Sequence, residues 1–322
     1  MATGNPSYSD LIATTLERRE KPMIDAVTTH NGLLRAMKAR NGVKTAPGGT
    51  SIVQPIEFKS NANFGWFEGY DLLPIMPQEV HTATQYAWKN ASVAVTISGT
   101  EIAKNSGPDQ IMDLLDAKIM NAEHTMLNGI ASGLYAPGTG SGGKELGGLA
   151  HLISTTPTTG TVGGIDRSDA TNAFWRNKAT DATTTYADST IRAQMLAMWL
   201  QCVRGSDHPN AIVTDGVAWT AYNNTLLALQ QITTPDTARG GYSNLVFYGP
   251  GGNADVIYDP LCTADRMWFI NLDTFKLRPH ANRYMKSSPA RFSLNQDAEV
   301  HHMFFMGNCT LNNAILNGVI FT

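Results

Sequence analysis

The chain has 322 residues, 42% of them apolar and only 16% charged, against about 25% charged in ordinary soluble domains. Its 24 basic and 27 acidic residues give a net charge of −3 with no basic block, which argues against a protein that grips duplex DNA by neutralising phosphates. A chain long enough for two domains with so little charge points to a surface of Thr, Ser, Asn and Gly, or to one covered by partners, since interface centres are poor in charge. Cys202, Cys262 and Cys309 are odd in number and far apart, so they read as reduced, buried thiols rather than a disulfide framework or zinc site. The first residues are polar with no apolar signal core, and no run approaches the ~18 apolar residues of a membrane span. Synthesis in the cytoplasm is expected.

Residues 1–46 read as an arm of short helical pieces, with apolar patches at Leu11, Ile12 and Leu16, at Met23, Ile24 and Val27, and at Leu33, Leu34 and Met37, stopped by Asn41-Gly42. Helices this short are marginal in water, so the arm gains order by lying on its own core or on a neighbour. Residues 47–98 read as one long hairpin. Ile52, Ile56 and Phe58 alternate with Val53, Pro55, Glu57 and Lys59, and Val93, Val95 and Ile97 supply the return strand. The tip between them, Phe64-Gly65-Trp66-Phe67-Glu68-Gly69-Tyr70, is rich in aromatics. A two-stranded ribbon alone is marginal, and such a tip is a liability unless another surface covers it. Phe64, Trp66, Phe67 and Tyr70 are therefore contact candidates for an adjacent copy. Glu57, Lys59 and Lys89 on the hairpin strands are candidates for ion pairs between subunits.

Pro108 suits the start of the longest helix. Ile111, Leu115, Ile119, Ala122, Met126 and Ile130 form its apolar stripe, and Gly133 ends it. About 26 residues span roughly 39 Å. A glycine-rich hinge follows: Leu146-Gly147-Gly148-Leu149, then Thr161-Val162-Gly163-Gly164-Ile165-Asp166-Arg167, then Phe174-Trp175-Arg176-Asn177. Paired glycines permit sharp bends and close backbone approach, and Trp175 with Arg176 reads as an anchor on something large. Residues 180–287 give helix, strand, helix and strands, a compact α/β unit. The tail, 288–322, is β-rich: Val300, His302, Phe304 and Met306 share one strand face, and Ala314, Leu316, Gly318 and Ile320 alternate on a later one. The tail is expected to return against the long helix.

Little in the chain speaks for chemistry. Gly138 to Lys144 has P-loop spacing up to its lysine, but Glu145 stands where a magnesium-binding Ser or Thr belongs, and no strand precedes it. His301 and His302 point to opposite faces of a strand, so both cannot readily hold one metal. No hydrolase elbow or zinc-protease motif is present. No catalytic, cofactor or metal site is expected, and no cofactor. A soluble NTP-binding or hydrolytic enzyme is the alternative from another class.

The ordered set of motifs resembles the tailed-bacteriophage major capsid proteins with the Hong Kong 97-type fold. The hinge sequences carry it first. Thr45-Ala46-Pro47-Gly48-Gly49-Thr50-Ser51-Ile52-Val53, Trp66-Phe67-Glu68-Gly69-Tyr70-Asp71 and Trp88-Lys89-Asn90-Ala91-Ser92-Val93 extend it. The resemblance implies an α+β chain: an N-terminal arm (1–46), an extended hairpin loop (47–98), a peripheral domain with a spine helix (99–179, with returning strands from 288–322) and an axial domain (180–287). It implies identical subunits in pentamers and hexamers that close an icosahedral shell around double-stranded DNA without reading its sequence, built in the host cytoplasm with no membrane. With no large extension before the arm, a separate scaffolding protein is expected, beside a portal and a decoration protein. Some capsid relatives join a hairpin lysine to a neighbour's asparagine; a lysine is present here but no partner is identifiable, and that reaction is not predicted. Within the same fold, an encapsulin-like compartment is the alternative.

Overall fold

The computed structural model describes residues 31–104, 114–182, 186–227, 245–289, 291–292 and 295–322. The apolar patches before residue 31, and Ile111 at the head of the long helix, lie outside the described residues.

Helix α1 (Gly32–Ala39) is capped by Asn31, whose side-chain oxygen accepts from the Leu34 N–H at 2.6 Å, and it buries Leu33, Leu34 and Met37. The end of the arm thus rests on the chain's own core. Strands β1 (Ile52–Glu57) and β2 (His81–Tyr86) pair antiparallel, Ile52 opposite Tyr86 and Glu57 opposite His81. Ile52, Gln54 and Ile56 are the buried side of β1. The return strand is a correction. Val93, Val95 and Ile97 lie on β3 (Lys89–Ser98), which pairs instead with residues 298–307. Alternation fixes the face a strand buries, not its partner, and the true return strand buries only Thr84 and Tyr86.

After α2 (Gly99–Lys104) comes the long helix α3, described over Leu114–Gly133. Ala122, Met126 and Ile130 form its buried stripe. Leu115 and Ile119, expected on that stripe, are partly exposed. The first turns lie beside α2, where the Lys118 ammonium meets Glu101 at 3.3 Å. Helix α4 (Leu149–Leu152), the ribbon β4 (Thr161–Val162) with β5 (Ile165–Asp166), a 3₁₀ turn at Ala170–Trp175 and β6 (Lys178–Asp181) make up the glycine-rich segment.

The next block follows the expected order: α5 (Ile191–Cys202), β7 (Ala211–Thr214), α6 (Gly216–Leu227), β8 (Leu245–Gly249), β9 (Gly252–Tyr258) and β10 (Arg266–Ile270). Then come β11 (Phe275–Ser287), β12 (Arg291–Phe292), β13 (Ala298–Leu311) and β14 (Gly318–Phe321).

Two sheets organise these strands. The six-stranded sheet runs β6-β14-β10-β7-β9-β8. Its alternation divides two cores. Ile212, Met267, Phe269 and Ile320 join Met195, Met198 and Trp199 of α5. Ala211, Val213, Trp268, Ile270 and Val319 join the larger core with Leu33, Met126 and Ile130. A sheet covered on both faces explains why Ala211–Thr214 is buried throughout. In the other sheet β13 pairs antiparallel with β11, β12 and β3. Its Met303, Phe305, Cys309 and Leu311 are buried, while Val300, His302, Phe304 and Met306 are half-buried on the opposite side. The tail is therefore shared: β13 lies over the long helix's side of the molecule, but β14 joins β6 and β10. Both runs show the same period of two, so the sequence could not tell one sheet from the other.

Candidate functional site

The hinge is a closed knot. Arg167 is fully buried and pairs with no carboxylate among the described residues. Its Nε donates to the Trp175 carbonyl at 2.9 Å, Nη1 to Asn177 Oδ1 at 3.1 Å and Nη2 to the Leu152 carbonyl at 2.7 Å. Burial lowers the guanidinium from its ordinary value to about 10, so it stays charged at neutral pH. Asn177 also accepts from the Ser154 N–H at 3.1 Å and donates back to its carbonyl at 2.8 Å. Trp175 is 1% exposed, and its indole N–H donates to the Val162 carbonyl at 2.9 Å. The glycines earn their place by contact. A Cβ on Gly148 would meet the Leu134 oxygen at 2.3 Å, and one on Gly163, whose φ is +61°, would meet Thr84 Cβ at 2.9 Å. A second tie is Asp259, fully buried, which accepts from Tyr135 Oη at 2.7 Å, the Leu33 N–H at 3.2 Å and the Leu261 N–H at 3.0 Å. It joins arm, long helix and sheet. Burial and the nearby Asp259 carboxylate push the Tyr135 phenol well up.

The β1–β2 ribbon is anchored at its base and free at its end. Tyr86 Oη donates to the Leu311 carbonyl at 3.0 Å and accepts from its N–H at 3.2 Å, and burial pushes this phenol up to about 12. The Gln85 N–H reaches the Gly163 carbonyl at 2.9 Å, and Phe58 packs on Phe174 with ring centroids 5.3 Å apart. Beyond the Phe58–Val80 backbone bond the chain forms a finger without strand structure. Trp66 is 94% exposed, Tyr70 and Leu72 are fully exposed, and Phe64, Phe67, Ile75 and Met76 stand mostly in solvent. The bonds that hold the finger are local, such as Asn63 Nδ2 to the Met76 carbonyl at 2.6 Å and the Glu68 N–H to Asp71 Oδ2 at 2.9 Å. Soluble monomers rarely expose so much contiguous apolar surface.

The contact candidates thus separate. Phe64, Trp66, Phe67 and Tyr70 are presented to solvent, and Glu57 and Lys59 stand exposed at the finger's base. Trp175 is a correction: its ring is consumed by the subunit's own core. Arg176 likewise serves its own loop, donating to the carbonyls of Arg167, Ser168 and Asp169. Lys89 donates to the Gly143 carbonyl of its own chain. The ribbon strands give no further chemistry. In the Gly138–Lys144 loop the Glu145 carboxylate accepts from the Gly140 N–H at 2.7 Å, so the protein's own carboxylate engages that donor. A cleft of about 180 Å³ is lined by Tyr86, Lys89, His151, Asn308 and Cys309, but burial pushes the Cys309 thiol up to about 12, far from a nucleophile's range. Sequence reasoning quoted Arg167 and Asn177 in the hinge without assigning them a role. The signal was present: a lone arginine between paired glycines and an aromatic pair, with only Asp166 and Asp169 beside it.

A closed core that leaves one apolar finger in solvent defines a subunit built to be completed by other copies. The SU10 major capsid protein family matches residues 77–311. The chain belongs to that family, and it is a major capsid protein of a tailed phage, located in the virion capsid. Among solved structures, the cyanophage A-1(L) capsid subunit is 17% identical, with 95% of this chain and 96% of that chain covered and a TM-score of 0.72. The Microbacterium phage Oxtober96 chain is 11% identical, with 95% of each chain covered and a TM-score of 0.58. The SrpI encapsulin of Synechococcus elongatus PCC 7942 is 8% identical, with 100% of this chain and 96% of that chain covered and a TM-score of 0.54. These likenesses establish the Hong Kong 97-type fold, which encapsulins share; the family match is what separates the two readings. No curated protein sequence matches the chain.

Proposed function

We propose that this subunit works mechanically, its Phe64–Met76 finger lying on a neighbouring copy in a closed shell. The exposed finger is the observation that carries this reading. Repeated head-to-tail contacts close rings of five and six subunits, and rings close an icosahedral shell. Finger and arm contacts to several neighbours sum through multivalency, so each can be weak. In this reading residues 47–88 form the extended loop, β3 with 99–179, β11 and much of 288–322 the peripheral domain, and the rest of 180–287 the axial domain at the capsomer centre. The shell is assembled in the host cytoplasm with a scaffolding protein, carries a portal, takes a decoration protein outside and encloses double-stranded DNA without reading its sequence. The net charge of −3 supports passive enclosure over tight binding.

The test is deletion of Phe64 to Tyr70. The subunit should keep its far-ultraviolet circular dichroism and melting temperature but form no shells in negative-stain electron micrographs. Normal shells from the deleted chain would overturn the proposal.

A further inference from the structure

The net charge hides a local excess of cations. From Asn31 to Ile56 the chain carries Arg35, Lys38, Arg40 and Lys44 and neither Asp nor Glu, and from Phe275 to Ser287 it carries Lys276, Arg278, Arg283 and Lys286 and again no acid. The fold lays these two runs side by side. The Leu277 N–H donates to the Gly42 carbonyl at 2.9 Å, and the Lys44 and Ala46 N–H groups donate to the Leu277 and Pro279 carbonyls at 3.0 and 2.8 Å. Lys276 and Arg278 are half-buried and alternate with buried Leu277 and Pro279, so they share one side of β11. Lys44 is held beside them.

The guanidinium is set by a buried amide. Gln54, 5% exposed on β1, donates to Asn312 and accepts from Arg278 Nε and Nη2, each at 3.2 Å. Its other donors stay available. Among the described residues none of these three cations forms an ion pair. Burial first, then the Lys44 and Arg278 charges, lowers the Lys276 ammonium from its ordinary value. Asp273 opposes this, but it is exposed and already accepts from Asn210 Nδ2 at 3.2 Å. Like charges held this close destabilise one another, and an anion between them removes the penalty. We propose that Lys44, Lys276 and Arg278 form a binding site for a phosphate-type oxyanion. The two ammoniums supply charge, and the guanidinium fixed by Gln54 supplies directed donors. The phosphate is a free ion or one carried on a polyanion. The site lies where arm, ribbon and β11 meet, and it uses no part of the finger.

Inorganic phosphate is the first probe. In isothermal titration calorimetry at low salt it should bind the full chain. The melting temperature should rise by about 2 °C or more in phosphate over chloride of equal ionic strength. Lys44→Gln with Lys276→Gln should weaken binding at least about tenfold and erase that rise. In phosphate-free buffer this variant should melt no lower than the parent, because the repulsion is relieved, so a folding defect cannot imitate the result. Lys104→Gln, which removes a cation on α2, should bind as the parent does. Duplex DNA, followed by fluorescence anisotropy, separates the sources. A variant defect for DNA, with no binding of inorganic phosphate by the parent, places the phosphate on a nucleic-acid backbone; a defect for inorganic phosphate alone makes it a free ion. Parent and variant alike in both titrations overturn the proposal. So does a variant that binds phosphate normally but yields fewer particles, because the cations would then serve a carboxylate of another copy.

Discussion

Two stretches of this chain look alike on paper and end in opposite places. Phe174-Trp175 and Phe64-Gly65-Trp66-Phe67 each set large rings beside glycine and charge. In the first Trp175 is sealed inside the subunit with Phe174 half-buried beside it, and the second stands in water. The difference lies in polar bookkeeping rather than in the rings. Burying rings also buries the backbone that carries them, and its polar groups must then be paired. Around Trp175 that demand is met by Arg167 and Asn177, which supply donors and acceptors to Leu152, Ser154 and the Trp175 carbonyl. The finger has only short-range bonds and no strand partner past Val80. An aromatic pair is therefore not evidence of an interface until its backbone has been accounted for.

That comparison can be broken most severely at the knot. Arg167→Met removes three hydrogen bonds and strands the Leu152 and Trp175 carbonyl oxygens, Asn177 Oδ1 keeping the Ser154 N–H, and should destabilise the subunit by at least about 3 kcal/mol in urea unfolding. Arg167→Lys should recover little, because an ammonium cannot span the fork. Stability close to the parent would mean that the knot is not what closes this region. Next in size is the long helix: Met126→Ala, at 2% exposure, should cost about 2–4 kcal/mol. Leu115→Asp, which the apolar stripe alone marks as ruinous, should cost no more than about 1 kcal/mol at its partly exposed position. Equal losses at the two positions would contradict the observed burial. In the finger, Trp66→Ser with Phe67→Ser should change stability by no more than about 0.5 kcal/mol, so a clear drop in melting temperature would show that the rings fold back on the subunit.

The smallest effect is a dependence on pH. Burial, helped by Arg167 and Lys89, holds the His151 imidazole below its ordinary 6.5. The unfolded chain then takes up a proton first as pH falls, so stability declines below about pH 6.5 and is fully present above it. His151→Gln should flatten that part of the stability profile. A profile with the same slope in both chains would remove His151 as its source.

Much of the architecture was legible. The helix ending at Gly133, the order of α5 through β10 and the aromatic finger are all local patterns of period, cap and glycine. The resemblance added the fold. Strand partners were not legible, because β2 carries only Thr84 and Tyr86 on its buried side and gives no apolar signal. Trp175 was misplaced, and the bonds that Arg176 and Lys89 make within the subunit went unseen, for a related reason: their partners are carbonyl oxygens, which every residue has and no sequence displays.

By itself, then, the sequence determined the main helices, the apolar strands and which faces are apolar, since these follow from side-chain periodicity within a dozen residues. Only the tertiary structure decided that β3 crosses to β13, that β14 joins the other sheet, and that one aromatic pair is locked around Arg167 while the other is left bare. Those outcomes turn on where backbone donors and acceptors find each other across the chain, and such matches are made in space.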